Sequence, residues 1–278
     1  MTDVTTQKNG IDVYNKTTYA SQWLNAADER IASGYYEKDH YRDTLETLKN
    51  APGNRVLECG IGTGEFFALE LAKSGKSVYG IDFSDELLKD CAYRFGREGL
   101  AARLGMADVH ALPFKEASFD IVFAIGVTPF MKDLALGVEE MVRVTKKGGI
   151  VVFDLMNIWH TSQFINHWYR VFESSRFGFA FIRGLKTLKK NMGFQTHFKA
   201  APEEVNHKLY SPLSLRRAMK KLGIGYRVRG YNVLLPLDLP IFGRYGNLCE
   251  RSKSLSYGLK DNKFLKYLGS KLVVIIEK

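Results

Sequence analysis

The 278-residue sequence has few cysteines and no long apolar run. Cys59, Cys91 and Cys249 are odd in number and widely spaced. That fits neither a disulfide framework nor a zinc site, and it points to a reducing, cytoplasmic setting in which each thiol is a small buried hydrophobe. No stretch reaches the roughly 18 uncharged apolar residues of a membrane helix, so no span is expected. The opening residues, MTDVTTQKNG, lack the apolar core of a signal peptide. There is no internal repeat and no low-complexity tract. What is there, 45% hydrophobic and 25% charged residues, fits a globular chain large enough for one domain plus a cap.

Acidic residues are scarce in one half only. Residues 1–156 hold 18 Lys and Arg against 23 Asp and Glu, a net of −5, whereas residues 157–278 hold 22 against 7, a net of +15. The two halves should have different tasks. A positive field of that size suits phosphates, nucleic acid or an anionic membrane, or it simply solvates the surface.

Periodicity gives an α/β order. Residues 11–50 read as two helices broken near Ser33-Gly34. Short apolar strands are expected at Arg55–Cys59, Ser77–Ile81, Ala101–Met106, Phe119–Ile125 and Ile150–Leu155. Helices are expected at Glu65–Lys73, after a Ser84 cap, and at Leu134–Val144, ended by Lys146-Lys147-Gly148-Gly149. Further on, 212–222 reads as a helix opened by Pro212, and Ile224–Val233 and Leu272–Glu277 as strands. Residues 234–270 have no clear pattern. Alternation of this kind implies a doubly wound, mostly parallel sheet with helices on both faces.

The stretch ECGIGTGEF, residues 58–66, follows the first strand and places Gly60, Gly62 and Gly64 at alternate positions. Strand, glycine-rich turn and helix start together form the ligand-handling device of doubly wound sheets. A phosphate-binding P-loop would need a lysine after Gly64, and none is there. The dinucleotide fingerprint would need glycine where Glu65 stands, and an acid there would oppose a pyrophosphate. What remains is G-x-G-x-G preceded by the acid Glu58. It suits a ligand with a positive amino group and no phosphate, such as S-adenosylmethionine.

Four stretches, VLECGIGTGEF, VYGIDFSDELL, GMADVHALPFKEASFDIVFAIGV and EEMVRVTKKGGIVVFD, make residues 53–157 resemble the class I S-adenosylmethionine-dependent methyltransferases. Within that class they are similar to the small-molecule group that includes the ubiquinone and menaquinone methyltransferases. The resemblance implies a Rossmann-like seven-stranded sheet with an inserted, largely helical cap. It implies S-adenosylmethionine as cofactor and S-adenosylhomocysteine as product. Gly60, Gly62 and Gly64 would let the backbone approach the cofactor. Glu58 would fix the loop or the methionine amino group. Asp82 would accept the ribose hydroxyls, and Phe83 would pack on the adenine. Asp108 and the Val109 backbone would read the adenine edge. Ile125 and Gly126 would pass beside the methionine arm. Helices ahead of the first strand often fold over the cofactor in this group, so Tyr14 or Tyr19 could close on the sulfonium, or could pack as ordinary surface residues.

Methyl transfer from a sulfonium is an in-line displacement in which alignment and exclusion of water do most of the work. A general base is needed only when the acceptor must lose a proton. His110, in ADVHALPF, and His160, in NIWHTSQF after the fifth strand, are the candidates. Asp154 and Asn157 are too few for a metal site, and no metal is expected. The stretch VTPF, residues 127–130, has Thr128 where DNA amino-methyltransferases carry a gripping amide. No cysteine is placed for pyrimidine chemistry, so DNA is not an expected partner.

The acceptor should be met by the second half. The expected layout is N-terminal lid helices over 1–52, a cofactor core over 53–156 and an acceptor cap over 157–222. The last strands fall in 223–278, interrupted by an insertion over 234–270. Residues 157–200 carry ten aromatics, and IRGLKTLKKNMG, residues 182–193, joins basic and apolar side chains. That suits a lipid-linked or anionic small acceptor with peripheral contact to an anionic membrane. It would also suit RNA, or a plain hydrophobic lid. The expectation is methyl transfer to a small or lipid-linked anionic acceptor at oxygen. The alternatives are an RNA methyltransferase and a cofactor-binding partner protein without turnover.

Overall fold

A computed structural model describes residues 39–160, 208–233 and 254–278. Tyr14, Tyr19, Cys249 and residues 161–207 of the cap expected over 157–222 lie outside the described residues. The described elements run in the order α1 (Asp39–Asn50), β1 (Arg55–Cys59), α2 (Phe67–Lys73), β2 (Ser77–Asp82), α3 (Asp85–Arg97), β3 (Ala102–Met106) and β4 (Phe119–Ala124). Then come α4 (Leu134–Val144), β5 (Thr145–Met156), α5 (Pro212–Leu222), β6 (Arg227–Tyr231) and β7 (Lys271–Glu277).

The strands form one seven-stranded sheet in the order β3-β2-β1-β4-β5-β7-β6. Neighbours from β3 to β5 are parallel, while β7 is antiparallel to both β5 and β6. This is the doubly wound sheet that the alternating pattern predicts. Its period-2 strands send side chains to two cores. On one face Val56, Ile121, Phe123 and Val152 pack under α1, α2 and α3. On the other, Leu57, Val122, Val151 and Phe153 pack under α4 and α5.

Local signals explain most helix ends. The Ser84 side chain accepts from the Leu87 N–H, and Leu87, Leu88, Cys91 and Phe95 make the buried face of α3. Full burial of each such large side chain contributes about 1.5–3 kcal/mol. Ser211 and Ser214 cap α5 reciprocally, with Pro212 in its first turn. The helix ends where Gly223 turns left-handed at φ 67°.

Two strand starts differ from expectation by three residues or more. The run Lys146–Gly149 is not a loop after α4 but the start of β5. Thr145 pairs with Phe119, and Gly148 and Gly149 exchange hydrogen bonds with Lys278. β6 begins at Arg227 rather than Ile224, because the chain must first leave the Gly223 cap. Part of the segment without a clear pattern is now placed. Gly230 donates its N–H to the Lys260 carbonyl at 2.8 Å, so residues around 260 lie against β6. A Cβ at Gly230 would collide with the Lys266 backbone, so only glycine permits that approach.

Candidate active site

The cofactor end of the sheet is built around the turn after β1. Gly60, Gly62 and Gly64 all have positive φ, at 74°, 54° and 64°. Only glycine adopts such values freely. The Gly60 and Ile61 N–H groups both donate to the Ile81 carbonyl, at 2.7 and 2.9 Å, which ties the turn to the end of β2. The Asp82 carboxylate completes the tie by accepting from Gly62 N–H at 2.9 Å and Ser84 N–H at 3.0 Å. Burial raises the Asp82 pKa, and the hydrogen bonds from Ser84, Gly62 and Phe83 oppose that rise.

This turn borders a cavity of about 250 Å³ along the carboxyl edge of the sheet. Glu58, the three glycines, Asp82 and Phe83 line it. So do Val109 and Ile125. With Gly126, nine of the residues singled out in the sequence therefore meet at one place. Asp108 is flanked by lining residues, Ala107 and Val109, but its carboxylate holds His110. It accepts from the His110 N–H at 2.9 Å and contacts Nδ1 at 2.6 Å. Glu140 and Arg143 of α4 brace the same loop through the Leu112 N–H, the Leu112 carbonyl and the Phe114 carbonyl.

The two candidate bases stand apart from the cavity lining. His110 Nε2 accepts from the Asp133 N–H at 3.3 Å, so the proton lies on Nδ1 and is donated to Asp108. His160 is buried, and its N–H donates to the Asn157 carbonyl. Asp154 and Asn157 also have structural partners. Asp154 accepts from Gly126 and Lys271, and the Asn157 amide donates to the Tyr267 and Gly269 carbonyls. The Thr128 hydroxyl donates to the Asp154 carbonyl at 2.6 Å, anchoring the turn after β4. Among the described residues no group of three His, Cys, Asp or Glu is placed to hold a metal. Burial pushes the Cys91 thiol up to about 12 and that of Cys59 higher still, so neither is a nucleophile.

The electrostatics are lopsided. Glu58, Glu65 and Asp82 line one end, and Lys271 is the one Lys or Arg among the described lining residues. Glu58 is buried; its carboxylate accepts from the Ala68 N–H, but Oε2 has no hydrogen-bond partner among the described residues. Burial and the nearby Glu65 and Asp82 carboxylates hold its pKa well above the usual range. A group carrying an ammonium would supply the missing donor. Gly126 also borders the cavity, at φ 78°, a conformation that glycine adopts freely. The residues present suit S-adenosylmethionine.

Residues 57–153 match the family described as "Methyltransferase domain". They form a class I S-adenosylmethionine-dependent methyltransferase domain. The cofactor of this domain is S-adenosylmethionine. The chain is 27% identical over 160 residues to a malonyl-[acyl-carrier protein] O-methyltransferase of Serratia marcescens, covering 58% of this chain and 61% of that one. It is 36% identical over 129 residues to a ubiquinone/menaquinone biosynthesis C-methyltransferase of Geotalea daltonii, covering 44% and 54%. The chain thus spans less than two thirds of the length of either relative. A Thermotoga maritima structure, described as an S-adenosylmethionine-dependent methyltransferase and possible histamine N-methyltransferase, shares the fold. Its TM-score is 0.54 at 18% identity, over 94% of this chain and all of that one.

Sequence inspection did not single out Tyr41, Phe130, Met156 or Lys271, all of which line the cavity. Tyr41 comes from α1, ahead of every recognisable motif. Lys271 reaches the site only because β7 runs antiparallel, so its first residue stands at the carboxyl edge of β5. The topology carried that signal, and no short motif does.

Proposed function

We propose that this protein transfers a methyl group from S-adenosylmethionine to a small-molecule acceptor, at an oxygen of an anionic or lipid-linked compound. The observation that carries this reading is the charge layout of the cavity, with carboxylates under the glycine turn and its one lining lysine, Lys271, held by Asp154 at the far end. Glu58 is suited to face the cofactor's ammonium, Asp82 its ribose hydroxyls, and Phe83 and Val109 its adenine. The bound cofactor supplies an electrophilic methyl on a sulfonium. Pro129, Phe130 and Met156 line the part beyond β4 and favour a water-poor acceptor site. No described lining residue is a histidine, which favours an acceptor that arrives already ionised.

Among the described residues, no helix is long and apolar enough to cross a membrane. Phe264 is 75% exposed and lies beside Lys263, and exposed Leu265 and Leu268 flank Lys266. Apolar and basic groups in that arrangement support peripheral contact with an anionic membrane.

Methyl-labelled S-adenosylmethionine, incubated with the protein and an extract of the source cells, tests the proposal. Label should enter the organic or small-molecule fraction. Label that follows RNA and is lost with ribonuclease would contradict it.

A further inference from the structure

The cavity has an internal geography set by strand order. Glu58 is the last residue but one of β1, Asp82 ends β2, and Ile125 and Gly126 follow β4. Beyond β4 the carboxyl edge continues through β5 to β7. Met156 and Lys271 are partners in the antiparallel register, so the last residue of β5 and the first of β7 stand side by side at that edge. With neighbouring strands about 4.8 Å apart, the Lys271 backbone lies two strands, or roughly 10 Å, from β4, and about twice that from β2, while its side chain reaches back towards the end of β4 through Asp154.

Lys271 Nζ donates to Asp154 Oδ2 at 2.8 Å. The Asp154 side chain is only 2% exposed, and its other oxygen accepts from the Gly126 N–H at 2.7 Å. That carboxylate is therefore fixed to the cavity edge at β4 and to the lysine at β7. The lysine side chain remains 22% exposed and lines the cavity. Burying a carboxylate with a lysine is costly, and apolar residues of similar size would commonly stabilise a fold as well. Between Lys271 and Glu277, the interior of β7, Leu272–Ile276, is apolar. The ion pair stands at the one β7 position that lines the cavity.

We propose that Lys271 is a specificity-determining residue that recognises an oxyanion on the acceptor, a carboxylate or a phenolate, with Asp154 as its positioning residue. The inference rests on the methyltransferase reading above. An oxyanion at the other end would face Glu58, Glu65 and Asp82, which repel it. Beside Lys271 it meets a cation across an apolar stretch of Pro129, Phe130 and Met156, where a charge pair is stronger than in water. The balance of the step agrees. The ionised acceptor oxygen forms the new oxygen–methyl bond with its lone pair, and the carbon–sulfur bond breaks with its electrons left on sulfur. No proton is released and no base is required.

The test uses the full chain loaded with S-adenosylhomocysteine and three probes titrated calorimetrically at pH 8: decanoate, 4-nitrophenolate and decan-1-ol. At least one anion should bind. Lys271→Met should weaken that anion about tenfold or more while leaving decan-1-ol within about twofold, and Lys271→Arg should retain most of the anion affinity. Which anion responds distinguishes carboxylate from phenolate. Equal losses for anion and alcohol would reveal a merely structural lysine and overturn the proposal. So would unchanged anion binding in Lys271→Met, or no binding of either anion to the wild type. If Lys271→Met alone fails to fold around the unpaired Asp154, the double variant Lys271→Met/Asp154→Asn carries the comparison. Loss of S-adenosylhomocysteine binding in the wild type would instead defeat the underlying methyltransferase reading, and is seen before any acceptor probe is added.

Discussion

Asp82 accepts the backbone N–H of Gly62 at 2.9 Å, across 20 residues of sequence. This one bond joins the acid at the end of β2 to the middle of the glycine turn after β1. The carboxylate thereby shapes the turn as well as lining the cavity. Asp82→Ala should weaken S-adenosylhomocysteine binding by more than tenfold. Asp82→Asn keeps an acceptor oxygen for the turn and should lose less. A calorimetric titration of both variants checks this, and equal affinity for Asp82→Ala and wild type would refute it.

Glu58 makes binding depend on pH. In the empty protein burial and the neighbouring Glu65 and Asp82 carboxylates raise its pKa. An ammonium at Oε2 favours the carboxylate and lowers that pKa, so binding releases a proton. Affinity should rise with pH and level off above the raised pKa. Titrations in buffers of different ionisation enthalpy should detect the released proton, and Glu58→Gln should abolish it.

The same residue affects stability. A carboxyl group whose folded pKa lies above its unfolded value favours the folded state at low pH. That contribution is lost as pH rises from the ordinary glutamate range through the raised value. Glu58→Gln avoids this loss. At pH 8 it should melt a few degrees above the wild type, by roughly 2–4 °C per kcal/mol for a chain of this size, while binding cofactor more weakly. A lower melting temperature would mean that Glu58 stabilises the empty fold.

Asp43 of α1 accepts from the Tyr231 and Tyr257 hydroxyls at 2.8 and 2.7 Å and from Lys260. It thus joins α1 to β6 and to the segment near 260. Burial pushes its pKa up, but the hydrogen bonds from Lys260, Tyr257 and Tyr231 outweigh that and hold it below the usual aspartate value. Its contribution is present above the unfolded pKa and is lost as pH falls through the folded one. Asp43→Ala should cost about 3 kcal/mol in urea unfolding at pH 7. The difference from wild type should shrink below pH 4.

His110 has a positioning part. It bridges the Asp108 carboxylate and the Asp133 N–H. His110→Ala should reduce cofactor affinity several-fold and stability by about 1 kcal/mol. Both changes would be read by titration and thermal melting, and the pH profile of methyl transfer should keep its shape.

The parts legible in the sequence are those set by local chemistry. Arg55–Cys59 and Leu134–Val144 are found at their expected bounds because apolar period and flanking turn residues agree. Ser84 caps its helix for the same reason. The glycine turn, Asp82, Phe83 and Val109 share a cavity because each sits just past the end of a parallel strand. Non-local pairing was not legible. Thr145–Gly149 read as a turn because their partners, Phe119 and Lys278, are distant in sequence. Lys271 lies one residue before the strand expected at Leu272–Glu277 and reaches the site only because β7 pairs antiparallel with β5. His110 was chosen for its chemistry, yet its ring bridges the Asp108 carboxylate and the Asp133 N–H, and neither His110 nor His160 is among the described residues that line the cavity.

A crystal structure of the full chain with S-adenosylhomocysteine tests the account most directly. The account predicts density along the carboxyl edge of the sheet, with the amino group against Glu58, the ribose at Asp82 and the adenine between Phe83 and Val109. The sulfur should face the Met156–Lys271 side. Density elsewhere, or an amino group turned away from Glu58, would contradict it.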